Sequence, residues 1–378
     1  MRRKTFIGLA IGGAIAAVGT TGFLLSDQRN LLRADLDPAD DADPGALESD
    51  EKQILFLASL APSGHNTQPW FVRPLAPYRW IIGNDRRKWL PAVDPQQRET
   101  LLSLGAFFQN LEFAAAAFGY ACRWTLLAVT NQDAWVAEVQ LVKTAAGNFT
   151  DVEAMKNRRT LRAGFSRAAL RPADLAHLIA GEPEFIHHLP ATSREGRFVS
   201  EQTIEANRLQ GYRDPAQREL ADWIRFSGAD ARRERDGLTT GGMEIEGLAG
   251  WAVRNFYGKS DVLKSAFRER GLDRVRAQVV ASAGWILITS RDGSVASLLE
   301  TGRRMQRLFL KVRARGIGLH PMTQILEEPS TRSALTPAVG LGDGVQFILR
   351  VGYVADYPPA VALRRPVAWF LRRGDAAT

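Results

Sequence analysis

Residues 101–119 read LLSLGAFFQNLEFAAAAFG, and residues 298–316 read LLETGRRMQRLFLKVRARG. An offset of 197 residues aligns seven identical residues in the two stretches. Apolar residues recur at spacings of three and four, and a glycine ends each stretch, so both are predicted to be long helices. The first is nearly apolar all round, as expected of a helix buried on several sides, whereas the second carries arginines. The offset predicts two similar halves, although a leucine-rich helical pattern alone could produce some of the matches.

Predicted strands flank both helices. They cover residues 80–82, 124–129 and 135–142 in the first half, and residues 285–290 and 345–354 in the second. Because strands and long helices interleave, the sequence predicts an α+β or α/β protein, of which we favour α+β. The two tandem halves are predicted to span residues 51–150 and 151–378. A chain of 378 residues that is 45% hydrophobic and 24% charged can bury a substantial core.

The first 27 residues are predicted to be an export signal or an N-terminal anchor. Arg2, Arg3 and Lys4 precede an uncharged stretch that is only mildly apolar. Low hydrophobicity favours a twin-arginine-type signal, so we expect export to the periplasm, with this segment contacting the membrane or the export machinery. A retained membrane anchor and a cytoplasmic location are the alternatives. Residues 28–50 are predicted to form a solvated acidic linker, and the folded part to begin near Glu51.

Charge and cysteine content argue against several classes of function. The formal net charge is +8, but the basic residues are spread along the chain without an aromatic-interleaved block, so no nucleic-acid partner is predicted. Cys122 is the only cysteine, which excludes intrachain disulfides and cysteine metal clusters. His187 and His188 have no cysteine or clustered carboxylate at ligand spacing, so no metal site is predicted.

Residues 61–70 read APSGHNTQPW and follow an amphipathic run, which predicts a helix, a polar turn and then a strand. Ser63, Asn66 and Gln68 would place three hydrogen-bonding side chains within a few ångströms of one another. Such a set suits recognition of the polar edge of a heteroaromatic ring. The alternative is a helix end stabilised by ordinary Pro, Gly and Asn turn chemistry. The residues by themselves favour neither interpretation.

Residues 158–165 read RRTLRAGF. Three guanidinium groups and a hydroxyl can make charge-assisted, bidentate contacts with a phosphate dianion. The alternative is a solvated arginine cluster at the start of a helix. Taken alone, the segment favours the solvated cluster, and the resemblance described next reverses that preference.

Together these segments resemble two motifs of the FMN-dependent nitroreductase superfamily. In that superfamily a Ser-x-x-Asn-x-Gln-Pro-Trp stretch contacts the flavin, and an Arg-x-Ser/Thr-x-Arg stretch binds its phosphate. The resemblance therefore implies FMN contacts for eight residues. These are Ser63, Gly64, Asn66, Gln68, Arg158, Arg159, Thr160 and Arg162.

The order of the two motifs is unusual. In ordinary nitroreductases the phosphate motif comes first, and a homodimer builds its flavin sites from both chains. Here the order is inverted, and each half carries only one of the motifs. This pattern resembles the Acg family, whose members are internally duplicated, over essentially the whole chain after residue 50. The resemblance implies an intrachain pseudo-dimer around one flavin site, and a monomeric folded part.

Two further segments resemble the superfamily more weakly. Residues 316–324 read GIGLHPMTQ and are similar to the loop beside the flavin ring, where a backbone amide meets N5. This similarity implies flavin contacts for Pro321, Met322, Thr323 and Gln324. Arg365 resembles a basic residue that reaches the phosphate. His320 is interpreted as a packed loop histidine.

No acid–base constellation stands out, so no catalytic side chain is predicted. The resemblance implies that NAD(P)H delivers hydride to FMN N5 and that an electron-poor nitroaromatic or quinone receives it. The alternative is a protein that stores or sequesters FMN with little or no turnover. Residues 236–256 bear on this choice, because a glycine-bearing loop and an apolar helix could form a lid over the flavin. They could equally be an ordinary connector.

Overall fold

The computed structural model describes residues 26–36, 47–145, 147, 149–341 and 344–372. The predicted export segment, residues 1–27, lies almost wholly outside the described residues. Among the helices that are described, none is long and apolar enough to cross a membrane.

The first half is built on a four-stranded antiparallel sheet with the strand order β1-β2-β4-β3. Its elements are α1 (Ser49–Ser59), β1 (Trp70–Ala76), β2 (Arg79–Asn84), α2 (Arg98–Ala117), β3 (Tyr120–Leu126) and β4 (Trp135–Lys143). β3 begins at Tyr120, earlier than predicted, because Gly119 ends the preceding helix with a positive φ of 82° and the chain turns at once into the sheet.

The second half contains another four-stranded antiparallel sheet, with the order β5-β8-β10-β9. Its helices are α3 (Thr150–Asn157), α4 (Pro172–Ile179), α5 (Arg194–Tyr212), α6 (Asp214–Trp223), α7 (Gly228–Glu234), α8 (Gly247–Phe256), α9 (Lys259–Val262), α10 (Ser265–Val280), α11 (Val295–Val312), α12 (Pro329–Val339) and α13 (Val367–Phe370). Its strands are β5 (Ile186–Pro190), the short parallel pair β6 (Ile224–Arg225) and β7 (Leu238–Thr239), β8 (Gly284–Thr289), β9 (Ile317–Pro321) and β10 (Val345–Tyr353).

The two sheets share one topology. In each, the first strand pairs with the second, the second with the fourth and the fourth with the third. A long helix stands between the second and third strands of each sheet, α2 in one half and α11 in the other. This mixed architecture confirms the predicted α+β class. One hydrophobic core runs through both halves, and it includes Val152 and Met155 of α3, the helix at the predicted boundary between them.

Helices α2 and α11 cross at two glycines. A Cβ atom on Gly105 would lie 2.0 Å from the carbonyl oxygen of Leu299, and a Cβ on Gly302 would lie 2.0 Å from the carbonyl oxygen of Leu102. Only glycine permits this approach of one backbone to the other. Adding 197 to 105 and subtracting it from 299 converts the first contact into the second, so the helices are related by a local pseudo-twofold axis at the crossing.

Polar contacts across the same helix pair obey the same offset. Gln306 Nε2 donates to Asn110 Oδ1 over 2.7 Å, and Arg307 Nη1 donates to Gln109 Oε1 over 2.7 Å. The reciprocity explains why a glutamine occupies both 109 and 306. It also shows why α2 is apolar nearly all round, since α1 and the first sheet cover the faces that α11 does not. Descent of the two halves from one duplicated unit stays a prediction.

The end of the predicted linker, beside the predicted start of the folded part near Glu51, is held by hydrogen bonds. Glu51 is buried, and its Oε1 accepts hydrogen bonds from Tyr78 N over 2.7 Å and Trp80 Nε1 over 2.9 Å. Asp50 accepts from the Tyr120 hydroxyl over 2.6 Å. These bonds fix the end of the predicted linker to the first sheet.

Each end of the described chain packs against the opposite half. Residues 26–36, which were predicted to be signal and linker, bury Leu31 in a cluster with Ala231 of the second half. At the other end, Leu371 forms a parallel bridge to Val72 of β1 in the first half. Residues 26–36 are therefore not a solvated linker, because they are held by tertiary packing.

Candidate cofactor site

Two adjoining cavities lie between the halves. The larger has a volume of about 400 Å³ and the smaller about 100 Å³. They share lining residues from the turn before β1 and from the second half, namely Pro62, Ser63, His65, Thr160, Arg162 and Leu238. A ligand that filled both cavities would therefore contact both halves of the chain.

The turn between α1 and β1 is held in a demanding backbone conformation. His65, Asn66 and Gln68 have positive φ values of 48°, 56° and 54°. Such conformations are costly for residues other than glycine and persist only where the surroundings fix them. Ser63 Oγ accepts from Gln68 N over 3.0 Å, and Asn66 Nδ2 donates to the carbonyl oxygen of Gly237 over 3.2 Å. Ser63 and Gly64 line the larger cavity, and Ser63 and Asn66 line the smaller one.

Gln68 and Arg365 hold each other instead of facing a cavity. Gln68 is fully buried; its Nε2 donates to the Arg235 carbonyl over 2.9 Å and its Oε1 accepts from Arg365 N over 3.0 Å. The Arg365 guanidinium donates to the carbonyl oxygens of Gln68 and Trp70. Because these bonds all go to protein groups, the structure gives both side chains the role of bracing the turn, although Arg365 Nε is buried without a partner.

Arg158 lines the smaller cavity and has buried donors without a partner. Its Nη2 donates to the Leu60 carbonyl over 3.3 Å, while its Nε and Nη1 are buried without a partner. The guanidinium lies 5.5 Å from the centre of the Phe309 ring. Burial lowers the pKa of Arg158 to about 10, so the group stays charged at neutral pH. A buried cation with unmet donors is costly unless an anion joins it.

The other arginines of this segment have protein partners. Arg159 pairs with Glu244 over 3.1 Å, and the backbone N of Arg162 donates to the same carboxylate over 2.9 Å. The Arg162 guanidinium donates to the Gly242 carbonyl over 2.5 Å and lines both cavities. Arg159 and Thr160 also line the smaller cavity. The structure thus brings all four predicted phosphate contacts to one place.

The loop after β9 contributes to the larger cavity. Pro321, Thr323 and Gln324 line it, as predicted for the flavin-side loop, whereas Met322 is buried in a core cluster with Ile325. His320 lines the cavity as well, although the sequence suggested only a packed loop histidine.

Known proteins resemble this chain over most of its length. No family model matches the chain. The chain is 24% identical over 326 residues to PigM of Serratia sp., covering 80% of this chain and 87% of PigM. It is 24% identical over 340 residues to acg of Mycobacterium tuberculosis, covering 84% of this chain and 93% of acg. Both relatives carry the name NAD(P)H nitroreductase.

These similarities support the resemblance of the chain to the nitroreductase superfamily and, within it, to the Acg family. As a nitroreductase-like protein it is of oxidoreductase type. Among solved structures it is similar to a nitroreductase from Anabaena variabilis, with 11% identity, 84% of this chain and 91% of that chain covered, and a TM-score of 0.40. A nitroreductase-like family protein from Bacillus cereus matches 60% of this chain and 96% of its own, with 14% identity and a TM-score of 0.30.

The sequence analysis missed the helices that cover the larger cavity. α5, α6 and α10 come from the segment between β5 and β8, and their lining residues are Asn207, Gln210, Gly211, Ala216, Gln217, Leu220, Phe267, Arg268, Gly271, Leu272 and Val275. The amphipathic pattern of these helices was a usable signal, but it does not say which surface they cover.

The larger cavity is also lined by four titratable residues that were not predicted as site residues, namely His65, His320, Glu99 and Glu327. Burial and then the charge of Arg162 lower the pKa of His65 to about 4, and they lower that of His320 well below its ordinary value, so both rings are neutral at pH 7. On the opposite wall, burial and then the charge of Glu99 raise the pKa of Glu327 well above its ordinary value. A protonated Glu327 can share a hydrogen bond with Glu99, which a pair of carboxylates cannot.

Only the first part of the predicted lid, residues 236–256, reaches a cavity. Gly237, Leu238, Thr239 and Gly242 line the smaller cavity, and we call residues 237–242 the lid loop. Gly237 N donates to the Asn66 carbonyl over 3.1 Å, so the loop is anchored to the turn before β1. No residue of α8 lines either cavity.

Proposed function

We propose that the chain binds one FMN between its halves and passes hydride from NAD(P)H to an electron-poor acceptor such as a nitroaromatic or a quinone. The observation that carries this proposal is the pair of unpartnered donors on Arg158 at the end of a two-part cavity. The small cavity has the chemistry for a phosphate and the large one has room for a ring. Bound FMN would supply the hydride chemistry.

The chain's own residues bind and orient in this scheme. Arg158 and Arg162 would hold the phosphate, with Thr160 beside them, and the loop from Pro321 to Gln324 would border the ring. The helices over the larger cavity would exclude water, which strengthens electrostatic interactions inside it. The names of the relatives PigM and acg support NAD(P)H as the electron donor.

Flavin content and turnover together test the proposal. Purified full-length protein should be yellow with one FMN per chain, and it should oxidise NAD(P)H when a nitroaromatic or quinone is added. Two flavins per chain would contradict the single site between the halves. A colourless protein that ignores added FMN would contradict the cofactor assignment.

FMN storage or sequestration is the second candidate function. The lid loop and the helices over the larger cavity favour it, because a flavin enclosed on those sides leaves little surface for nicotinamide to stack on. The same assay separates the two functions. Stoichiometric FMN without NAD(P)H oxidation supports storage.

We also propose that the folded part is a monomer and that residues 1–27 direct export by a twin-arginine-type route. The contact between α2 and α11 supports a monomer, since each helix covers the apolar face of the other within one chain. Sedimentation at micromolar concentration should give a single-chain mass. Cell fractionation of the full chain and of Arg2→Lys/Arg3→Lys should show export only for the first.

A further inference from the structure

Residues 26–36, which we call the strap, hold the lid loop through hydrogen bonds. Asn30 Oδ1 accepts from Thr240 Oγ1 over 2.6 Å and from Arg254 Nη1 over 2.7 Å. Thr240 belongs to the lid loop and Arg254 to α8, and both side chains are buried. One amide oxygen of the strap therefore joins the loop to the helix behind it.

A second group of contacts fixes the strap upstream of Asn30. Asp27 N donates to Asn255 Oδ1 over 2.9 Å, and the Asp27 carbonyl accepts from Arg254 Nε over 3.1 Å. Gly228 N at the start of α7 donates to Asp27 Oδ2. These bonds span more than 200 residues of sequence, so they form only when the second half is folded.

Further along the strap, Arg33 joins the arginine end of the site. Its guanidinium donates to the Lys156 carbonyl, next to the predicted phosphate segment. Arg158 and Arg364 both donate to the Leu60 carbonyl, over 3.3 and 3.0 Å, so these two guanidinium groups lie close together. Burial lowers the pKa of both, and the charge of Arg33 lowers each further. Among the described residues, no ion pair joins any of these three groups to a carboxylate. Such a cluster of like charges favours binding of an anion.

We propose that the strap is part of the cofactor site, with Arg33 contributing to phosphate binding and Asn30 latching the lid loop so that FMN leaves only after the strap has detached. This proposal rests on the proposed function, because it takes FMN as the ligand. It assigns a cofactor-binding role to a segment that its sequence marks as a linker. It also predicts reciprocal coupling, in which bound FMN holds the strap in place.

The rate of FMN release from full-length protein tests the strap. Asn30→Ala removes the shared acceptor, and we expect release on dilution, followed by the recovery of free-flavin fluorescence, to be roughly tenfold faster. Arg33→Ala should speed the release of FMN but not of riboflavin, which lacks the phosphate. Arg29→Ala is the matched control, since its side chain is 76% exposed and pairs with Asp35 on the strap itself. It should release FMN at the wild-type rate.

A conservative variant and a structural readout guard against a folding artefact. Asn30→Asp keeps an acceptor oxygen and should release FMN nearly as slowly as wild type. Limited proteolysis should cut the strap more slowly when FMN is bound. Equal FMN release from wild type and Asn30→Ala, with equal proteolysis in the presence and absence of FMN, would overturn the strap proposal while leaving the proposed function intact. Failure of the wild type to bind FMN would overturn both.

Discussion

The turn before β1 and the turn before β5 occupy equivalent places in the two halves, but they differ in what surrounds them. The first, residues 62–68, opens on both cavities. The second, residues 180–185, is held closed by arginines that pair with a carboxylate. There Glu182 accepts hydrogen bonds from Arg304 over 2.8 Å and from Arg307, and the Arg304 guanidinium lies 3.9 Å from the centre of the Phe185 ring.

The long helices account for the difference. With the offset of 197, Phe107 of α2 corresponds to Arg304 of α11. Phe107 packs against Trp70 with ring centres 5.1 Å apart, whereas Arg304 fills the equivalent space beside Phe185. Arg304 of the second helix therefore binds the second turn through Glu182, a contact that its counterpart Phe107 cannot make with the first turn. This contrast supports one flavin per chain.

Removing the charge that closes the second turn should have the largest effect on stability. Glu182→Ala leaves Arg304 without a carboxylate and Arg307 with Glu300 alone. We expect the free energy of unfolding to fall by about 3 kcal/mol, the low end for a buried pair. Urea denaturation measures this change, and FMN content should stay at one per chain. An unchanged stability would break the comparison. A second FMN would show that Glu182 closes a latent site.

Substituting one arginine beside each turn, Arg158 and Arg304, should separate effects on FMN binding from effects on the fold. Arg158→Ala should weaken FMN binding by about 1.5–3 kcal/mol, or roughly 10- to 150-fold, because a hydrogen-bonded charge contact to the phosphate is lost. Titration with riboflavin should show almost no change. Arg304→Ala is the control at the closed turn, and it should leave FMN affinity as in wild type. Equal losses for FMN and riboflavin would mean that Arg158 only maintains the fold.

The glycine crossing should show that the halves are equivalent where the helices meet. Gly105→Ala and Gly302→Ala each place a methyl group against a carbonyl oxygen of the opposite helix, and each should lower the stability by about 1–3 kcal/mol. Thermal or urea unfolding of the two variants should give similar values. A large difference between them would argue against the pseudo-twofold relation.

The smallest expected effect is a pair of opposite pH dependences in the free energy of unfolding, one from Asp94 and one from Glu182. Burial and then the charge of Glu99 raise the pKa of Asp94 from 3.8 to about 7, so its contribution to stability falls as the pH rises from about 4 to about 7. Burial alone would raise the pKa of Glu182, but hydrogen bonds from Arg304 and Arg307 lower it below 4.5, so its contribution is lost as the pH falls. Asp94→Asn should remove the first slope and Glu182→Gln the second, as measured by urea denaturation at several pH values.

Periodicity was sufficient to predict the two long helices and several strands, but not which elements pack against them. The spacing of leucines placed α2 and α11 correctly, because a helix that is buried on one or more faces repeats its apolar residues locally. The strand order and the helices over the larger cavity depend on contacts between distant residues, which no local pattern specifies. The strap was misassigned for the same reason: the acidic residues that follow it indicated a solvated linker, while its own burial depends on α7 and α8.

The candidate site was predicted where local chemistry suffices. Ser63 and Arg158 line the cavities as their motifs indicated. Gln68 and Arg365 lie almost 300 residues apart and satisfy each other, and nothing near either residue signals that pairing. Their direct contact with FMN stays a prediction that no observation tests.

The bonds made by Arg364 set an order of events during synthesis. Its guanidinium donates to the carbonyl oxygens of Leu60 and Ala61 over 3.0 Å each, and these residues precede it by 304 and 303 positions. The turn before β1, which Arg235 and Gly237 also hold, therefore lacks its last anchor until nearly the whole chain has left the ribosome. A nascent chain that stops short of Arg364 would carry both sheets and both long helices, yet it could not complete the proposed flavin site. Cofactor loading would then report that translation has finished.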